Sequence, residues 1–234
     1  QLYTTVDTLV IGSYCGTTSL AAVGTSAQPV EVILCLFLGM GTGVSILISQ
    51  STGAGNTEQV QRICRTAVAF VFLCGGLVGI VGIFLTPVLL RLMQVPEDTL
   101  PLAVVYTRIV LAGALGNIGY NMNAGILRGI GNSLSSLRFL MVSCLVNIVL
   151  DLVFVALLGM DVTGAALATT ISMIISWIVS IVYVRRHHPE MGLPIFTWRF
   201  SRDELRSMLR VGLPIGLNNS LYSFGHVAVQ TLVN

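Results

Sequence analysis

Apolar residues along this chain fall into long runs, separated by short stretches rich in glycine, proline and polar side chains. About 20 apolar residues in a helix, rising ~1.5 Å each, cross the hydrocarbon core of a bilayer. On that measure the sequence predicts six membrane segments and a seventh cut short. The first covers Gln1 to about Gly12, the second Val30 to Ser49 and the third Ala67 to Leu90. The fourth covers Pro101 to Ile126, the fifth Leu134 to Leu158 and the sixth Ala165 to Val184, and the seventh begins near Gly212. Prolines stand at the expected ends: Pro29 before the second, Pro96 and Pro101 around the start of the fourth, Pro189 and Pro194 after the sixth.

Composition agrees with the pattern. Of 234 residues, 54% are hydrophobic and 9% charged, against about a quarter charged in soluble domains. This predicts an all-α, polytopic membrane protein. All positive side-chain charge is arginine, and the net +2 is too small and scattered to point to nucleic acid. Five cysteines without Cys-x-x-Cys spacing read as small apolar residues in helices, not a metal or disulfide framework. The chain opens on Gln1 with an apolar segment shorter than a span and stops at Asn234 within an apolar run, so it reads as a fragment of something longer.

The loops set an orientation. One side carries Arg62, Arg65, Arg128, Arg138, Arg185, Arg186, Arg199, Arg202, Arg206 and Arg210; the other carries Arg91 beside Glu97, Asp98 and Asp161. The positive-inside rule makes the arginine-rich side cytoplasmic and puts the loop around Tyr14–Gln28 outside. The segment after the sixth span holds Ser201-Arg-Asp-Glu204, a capping-box pattern in which the hydroxyl accepts from the Glu204 amide and the carboxylate reaches back. Leu205, Met208 and Leu209 then form one face opposed by Arg202, Arg206 and Arg210, which predicts a short helix lying on the inner membrane surface. Leu2-Tyr-Thr in the first segment returns as Leu221-Tyr-Ser in the seventh, a register that sets Asp7 opposite His226 and implies a parallel repeat of six spans plus six.

Polar residues inside the apolar runs carry the chemistry. Asn147 and Asp151, four apart, share one helix face. An intramembrane carboxylate costs roughly 2.5–3.5 kcal/mol even on the milder insertion scale, so it is a functional hypothesis by default. Counted from the outer helix ends, Asp7 lies roughly 8 Å deep, Asp151 roughly 11 Å and Thr169 roughly 8 Å. Two carboxylates at one level in a low dielectric cannot both ionise cheaply, so a proton or small cation is expected between them. Asn147 and Thr169 add neutral oxygens of the kind sodium accepts. The competing reading has Arg108, about 10 Å from the same side, neutralise one aspartate or else snorkel outward. Asn117, Asn121 and Asn123 either line an aqueous cavity or bond across helices, and His226 is either a satisfied buried histidine or a proton relay. Gly39-Met-Gly41-Thr-Gly43 sits inside a span with no strand before it, and predicts close helix packing, not a phosphate loop.

Four stretches together resemble the multidrug and toxic compound extrusion (MATE) family of secondary transporters: Leu2-Tyr-Thr-Thr-Val-Asp7, Arg128-Gly-Ile-Gly131-Asn132, Asn147-Ile-Val-Leu-Asp151 and Gly164-Ala-Ala-Leu-Ala-Thr169. The resemblance extends over essentially the whole chain. It implies two six-helix lobes around an alternately opening cavity, of which residues 1–186 would be the N-terminal lobe. Residues 187–211 would be a cytoplasmic connector and 212–234 the start of the second lobe. It further implies export of cationic amphipathic drugs from the plasma (inner) membrane in exchange for protons or sodium, by a monomer without a cofactor. The coupling site would be Asp7, Asn147, Asp151 and Thr169, with Arg108, Asn121, Asn123 and His226 as possible accessories. Where the family often has proline after the helix-five aspartate, this chain has Leu152, which puts the helix bend there in question.

Three other readings compete, one of them a pure helix-packing scaffold, which leaves the shared depth of the carboxylates unexplained. A lipid-linked oligosaccharide flippase of related architecture would place arginines in its cavity to hold phosphates. An intramembrane aspartyl protease would use Asp7 and Asp151, but the nearest Gly-x-Gly-Asp-like sequence, Gly129-Ile-Gly131-Asn132, lacks the acid.

Overall fold

The computed structural model describes residues 2–197 and 200–233, excluding the side chains of residues 2–4, 6, 28 and 223–233. Arg199 and the side chain of His226 therefore lie outside the described residues, as do most side chains of the Leu2-Tyr-Thr and Leu221-Tyr-Ser repeat. The chain is all-helical: α1 (Leu2–Tyr14), α2 (Thr17–Gly53), α3 (Thr57–Leu92), α4 (Leu100–Ala112), α5 (Ala114–Gly129), α6 (Ser133–Asp151), α7 (Asp161–His187) and α8 (Arg202–Val233). A π-helical stretch, Leu152–Leu157, extends α6, and a 3-10 turn, Pro189–Met191, follows α7. By length and composition four helices suit a membrane, and the bent pair α4–α5 adds a fifth.

The second predicted segment starts thirteen residues too late, because α2 begins at Thr17 and carries Pro29 inside it. The sequence before Pro29 is rich in Ser, Thr and Gly and reads as a loop. Those hydroxyls are absorbed within the helix: Thr25 donates to Ala21 O and Ser26 to Ala22 O, each one turn back. The fourth predicted segment is also revised, since it bends by 45° at Gly113. A Cβ on Gly113 would overlap the Thr170 side chain of α7, and the Thr170 hydroxyl donates to Ile109 O (3.3 Å) beside the break. After Asp151 the chain switches to π geometry at Leu152 without a proline. Such wide turns are concentrated at functional sites.

Turn chemistry follows the sequence closely at the arginine-rich end. Asn56 caps α3 through the Gln59 amide, and Asn132 caps α6 through the Ser135 amide. Gly131 takes φ +83°, a left-handed conformation that suits glycine, which is the local reason for Gly-Ile-Gly-Asn after α5.

The main core lies between α2, α3, α5 and α8. Phe37, Met40, Val44 and Ile48 recur at three- and four-residue spacing on α2, against Ile63 and Val71 of α3, Ile118, Met122 and Ile126 of α5, and Met208 of α8. The opposite surface of α3 leaves Leu73, Leu77, Ile80, Phe84 and Val88 exposed as an apolar stripe suited to lipid.

The helix predicted over residues 201–210 does not lie apart as a short surface helix. It forms the first turns of α8, with Met208 fully buried in the core. The capping box is half made: Ser201 Oγ accepts from the Glu204 amide (3.5 Å), but the carboxylate turns to α3, where Arg62 Nε is 3.9 Å away. A cation there offsets part of the cost of burying the acid. Burial still pushes the Glu204 carboxyl above its ordinary value, with Arg62 opposing. The folded state thus holds this proton more tightly than the unfolded one. The contribution of Glu204 to stability is therefore fully present below the ordinary glutamate range and lost as pH rises through its raised value. Relative to Glu204→Gln, the wild-type melting temperature should fall as pH rises above the ordinary glutamate range, measured by thermal denaturation in detergent.

Candidate functional site

Four helices converge on the Asp7 carboxyl. It is 1% exposed, and it accepts from Thr169 Oγ1 of α7 at 2.9 Å and Tyr106 OH of α4 at 3.4 Å, both on Oδ2. Asn147 Nδ2 of α6 donates to Oδ1 at 3.4 Å and also reaches Thr169 Oγ1 at 3.3 Å. Because Asn147 and Asp151 are one turn apart, the same face of α6 brings the second carboxyl in. Asp151 is fully buried, and its carboxyl interacts electrostatically with that of Asp7. No donor among the described residues reaches either Asp151 oxygen, nor Asn147 Oδ1.

The arrangement is lopsided. Asp7 already accepts from three donors, whereas Asp151 and the Asn147 carbonyl offer three buried oxygens that no described donor reaches. A buried acceptor without a donor is costly, and a proton on the carboxyl or a cation bound to the oxygens removes that cost. The donor set is all oxygen, anionic and neutral, which fits sodium as well as a proton.

The other sequence candidates separate. Arg108 pairs with neither aspartate. Its Nε donates to Ile83 O of α3 at 3.0 Å. That carbonyl is free because Pro87, four residues on, has no N–H to give it. Asn121 donates to Asn117, and both line the central cavity, whereas Asn123 is buried and donates to Ser180 Oγ across to α7. Of the two readings of these asparagines, each holds for a different residue.

The cavity has a volume of about 250 Å³ and opens beside the carboxyl cluster. Asp7, Tyr106 and Thr169 form one wall, Asn117 and Asn121 another, and α2 supplies Val30, Glu31, Leu34 and Leu38. Two of these residues escape sequence reasoning. Tyr106 gives little signal, since a tyrosine in an apolar run ordinarily packs. Glu31 is a carboxylate inside a long apolar helix, and it would have stood out had α2 been assigned its full length.

A family model described as MatE matches residues 1–153. The chain belongs to the MATE family. It is 32% identical over 233 residues to the probable multidrug resistance protein YpnP of Bacillus subtilis (strain 168), covering 98% of this chain and 51% of that protein. Among solved structures it is similar to the inward-facing conformation of a multidrug resistance MATE family transporter of the MOP superfamily, with a TM-score of 0.87 and 30% identity over 95% of this chain and 51% of that one. The outward-facing conformation of such a transporter gives a TM-score of 0.85 at 31% identity over 93% and 48%. The chain thus spans about half the length of the MATE relatives it matches. This is a family of membrane transporters, not of enzymes, and the aspartyl-protease reading has no support in it.

Proposed function

We propose that this chain is the ion-coupling, N-terminal half of a MATE antiporter that exports cationic amphipathic drugs in exchange for protons or sodium. The observation that carries the proposal is the Asp7–Asp151 pair with Asn147 and Thr169, set against a cavity large enough for part of a drug. Residues 1–186 form one lobe, 187–211 the connector and 212–234 the start of the other lobe. The protein works as a monomer in the plasma (inner) membrane, with the arginine-rich loops cytoplasmic and no cofactor beyond the coupling ion.

An ion arriving from outside neutralises the carboxyl pair. The hydrogen bonds through which Asp7 ties α1 to α4, α6 and α7 then weaken, α1 shifts, and drug release outward is favoured. Alternating access needs each lobe to move as a body, and the near-equal likeness of this chain to inward- and outward-facing transporters supports such movement. No arginine among the described residues lines the cavity, which counts against a phosphate-gripping oligosaccharide flippase.

The test is drug efflux by the full-length protein in proteoliposomes, with sodium varied at fixed pH and external pH varied without sodium. Stimulation by sodium makes Asn147 and Thr169 ligands; stimulation by external acid alone makes the pair a proton carrier. Efflux indifferent to both gradients overturns the proposal.

A further inference from the structure

Two carboxylates line the central cavity, and their surroundings differ sharply. Asp7 is buried, and its oxygens already accept from Thr169, Tyr106 and Asn147. A cationic substrate group would have to displace those donors to reach it. Glu31 on α2 is exposed and has no ion pair or hydrogen bond with any described residue. A carboxylate in the interior of an apolar membrane helix is expensive to keep and marks a substrate or ion pathway by default.

Its neighbours on α2 continue the argument. Residues 31, 34 and 38 recur at helical spacing, so Glu31, Leu34 and Leu38 make one stripe along the cavity wall: a charge first, then two turns of apolar surface. Depth separates this stripe from the coupling pair. Ser19 of α2 bonds Asp161 of α7 (3.0 Å), fixing a common level for the two helices. Glu31 lies twelve residues beyond Ser19 and Thr169 eight beyond Asp161; at ~1.5 Å per residue that is roughly 18 Å against 12 Å. Glu31 therefore stands about a helical turn further toward the arginine-rich side than Thr169 and Asp7.

We infer that Glu31 is the specificity-determining residue for charge: it takes the cationic group of the substrate while Leu34 and Leu38 hold the apolar body. This rests on the proposed export of cations and adds a division of labour to it. Substrate and coupling ion occupy different carboxylates a turn apart in one cavity, so the ion acts on the substrate through the shared wall and not by displacing it from Asp7.

The experiment uses the purified full-length transporter and two probes of similar shape, the tetraphenylphosphonium cation and neutral triphenylphosphine oxide, with binding measured by equilibrium dialysis. Glu31→Gln should weaken tetraphenylphosphonium binding by about tenfold, the scale of one partly solvated charge pair. It should leave the neutral probe within about twofold, and Glu31→Asp should recover most of the lost affinity. Glu31→Gln that binds the cation as tightly as wild type overturns the assignment, as does a variant that loses both probes equally. Wild-type protein that prefers the neutral probe overturns the cationic-substrate reading itself, a result distinct from either of those.

Discussion

Asp151→Asn in the full-length protein should abolish ion-coupled efflux while leaving a folded transporter. Asp151 is fully buried, and its neighbour is the Asp7 carboxyl. With no described donor on either oxygen, an amide loses no accepted hydrogen bond there, and its N–H can donate to Asp7 as a protonated carboxyl would. The variant therefore mimics a permanently neutralised site: it can bind drug but has no ion to exchange. Efflux driven by a sodium or proton gradient should fall by about 100-fold or more, the scale of losing an essential titrating group. Melting temperature should stay near wild type. Asp7→Asn should behave differently, since one amide oxygen cannot replace two carboxylate oxygens facing three donors, and its own N–H groups would meet those donors. That variant should lose transport and also about 1–3 kcal/mol of stability. Undiminished gradient-driven drug efflux by Asp151→Asn at wild-type expression would sink the coupling role.

The contrast between the two aspartates also shows what a sequence can carry. The i, i+4 spacing of Asn147 and Asp151 on a predicted span is enough to put them on one face, and counting residues from helix ends is enough to set Asp7 and Thr169 at a similar depth. Both inferences use only helical rise and the cost of buried charge. The sequence is silent on how α4 is rotated, and therefore on Tyr106. Arg108 illustrates a subtler gap. Its partner is a backbone carbonyl freed by Pro87 on another helix, so neither residue alone announces the contact. Glu31 was hidden by a boundary: with the second span started at Val30, the acid falls at a membrane edge, where charge is unremarkable. The Ser/Thr hydroxyls that make residues 17–28 look like a loop are satisfied inside the helix, and that extension moves Glu31 to the interior.

Leucine at Gly41 should prevent stable folding altogether, because two helix seams cross at Gly39-Met-Gly41-Thr-Gly43. A Cβ on Gly41 would lie 2.6 Å from Asn121 O, and one on Gly125 would overlap Gly41 O, so α2 and α5 meet backbone to backbone there. Two residues to either side on α2, Gly39 and Gly43 face Gly216 and Gly212 of α8 in the same way. Backbone atoms cannot rotate aside as side chains do, so even alanine must push the helices apart and forfeit contact along both. Gly41→Ala should cost about 1–3 kcal/mol. Gly24 and Gly76 supply the control, having open space where a Cβ would stand. Alanine there should be neutral or gain up to about 1 kcal/mol through helix propensity. The measurement is thermal denaturation in detergent of all four full-length variants, and equal melting temperatures for Gly41→Ala and Gly76→Ala would refute the seam. Gly212→Ala separates the two contacts. It should loosen α8 from α2, where the added Cβ meets Met40 Cα at 2.8 Å, yet leave the α2–α5 wall of the cavity, and with it Glu31, Asn117 and Asn121, in place.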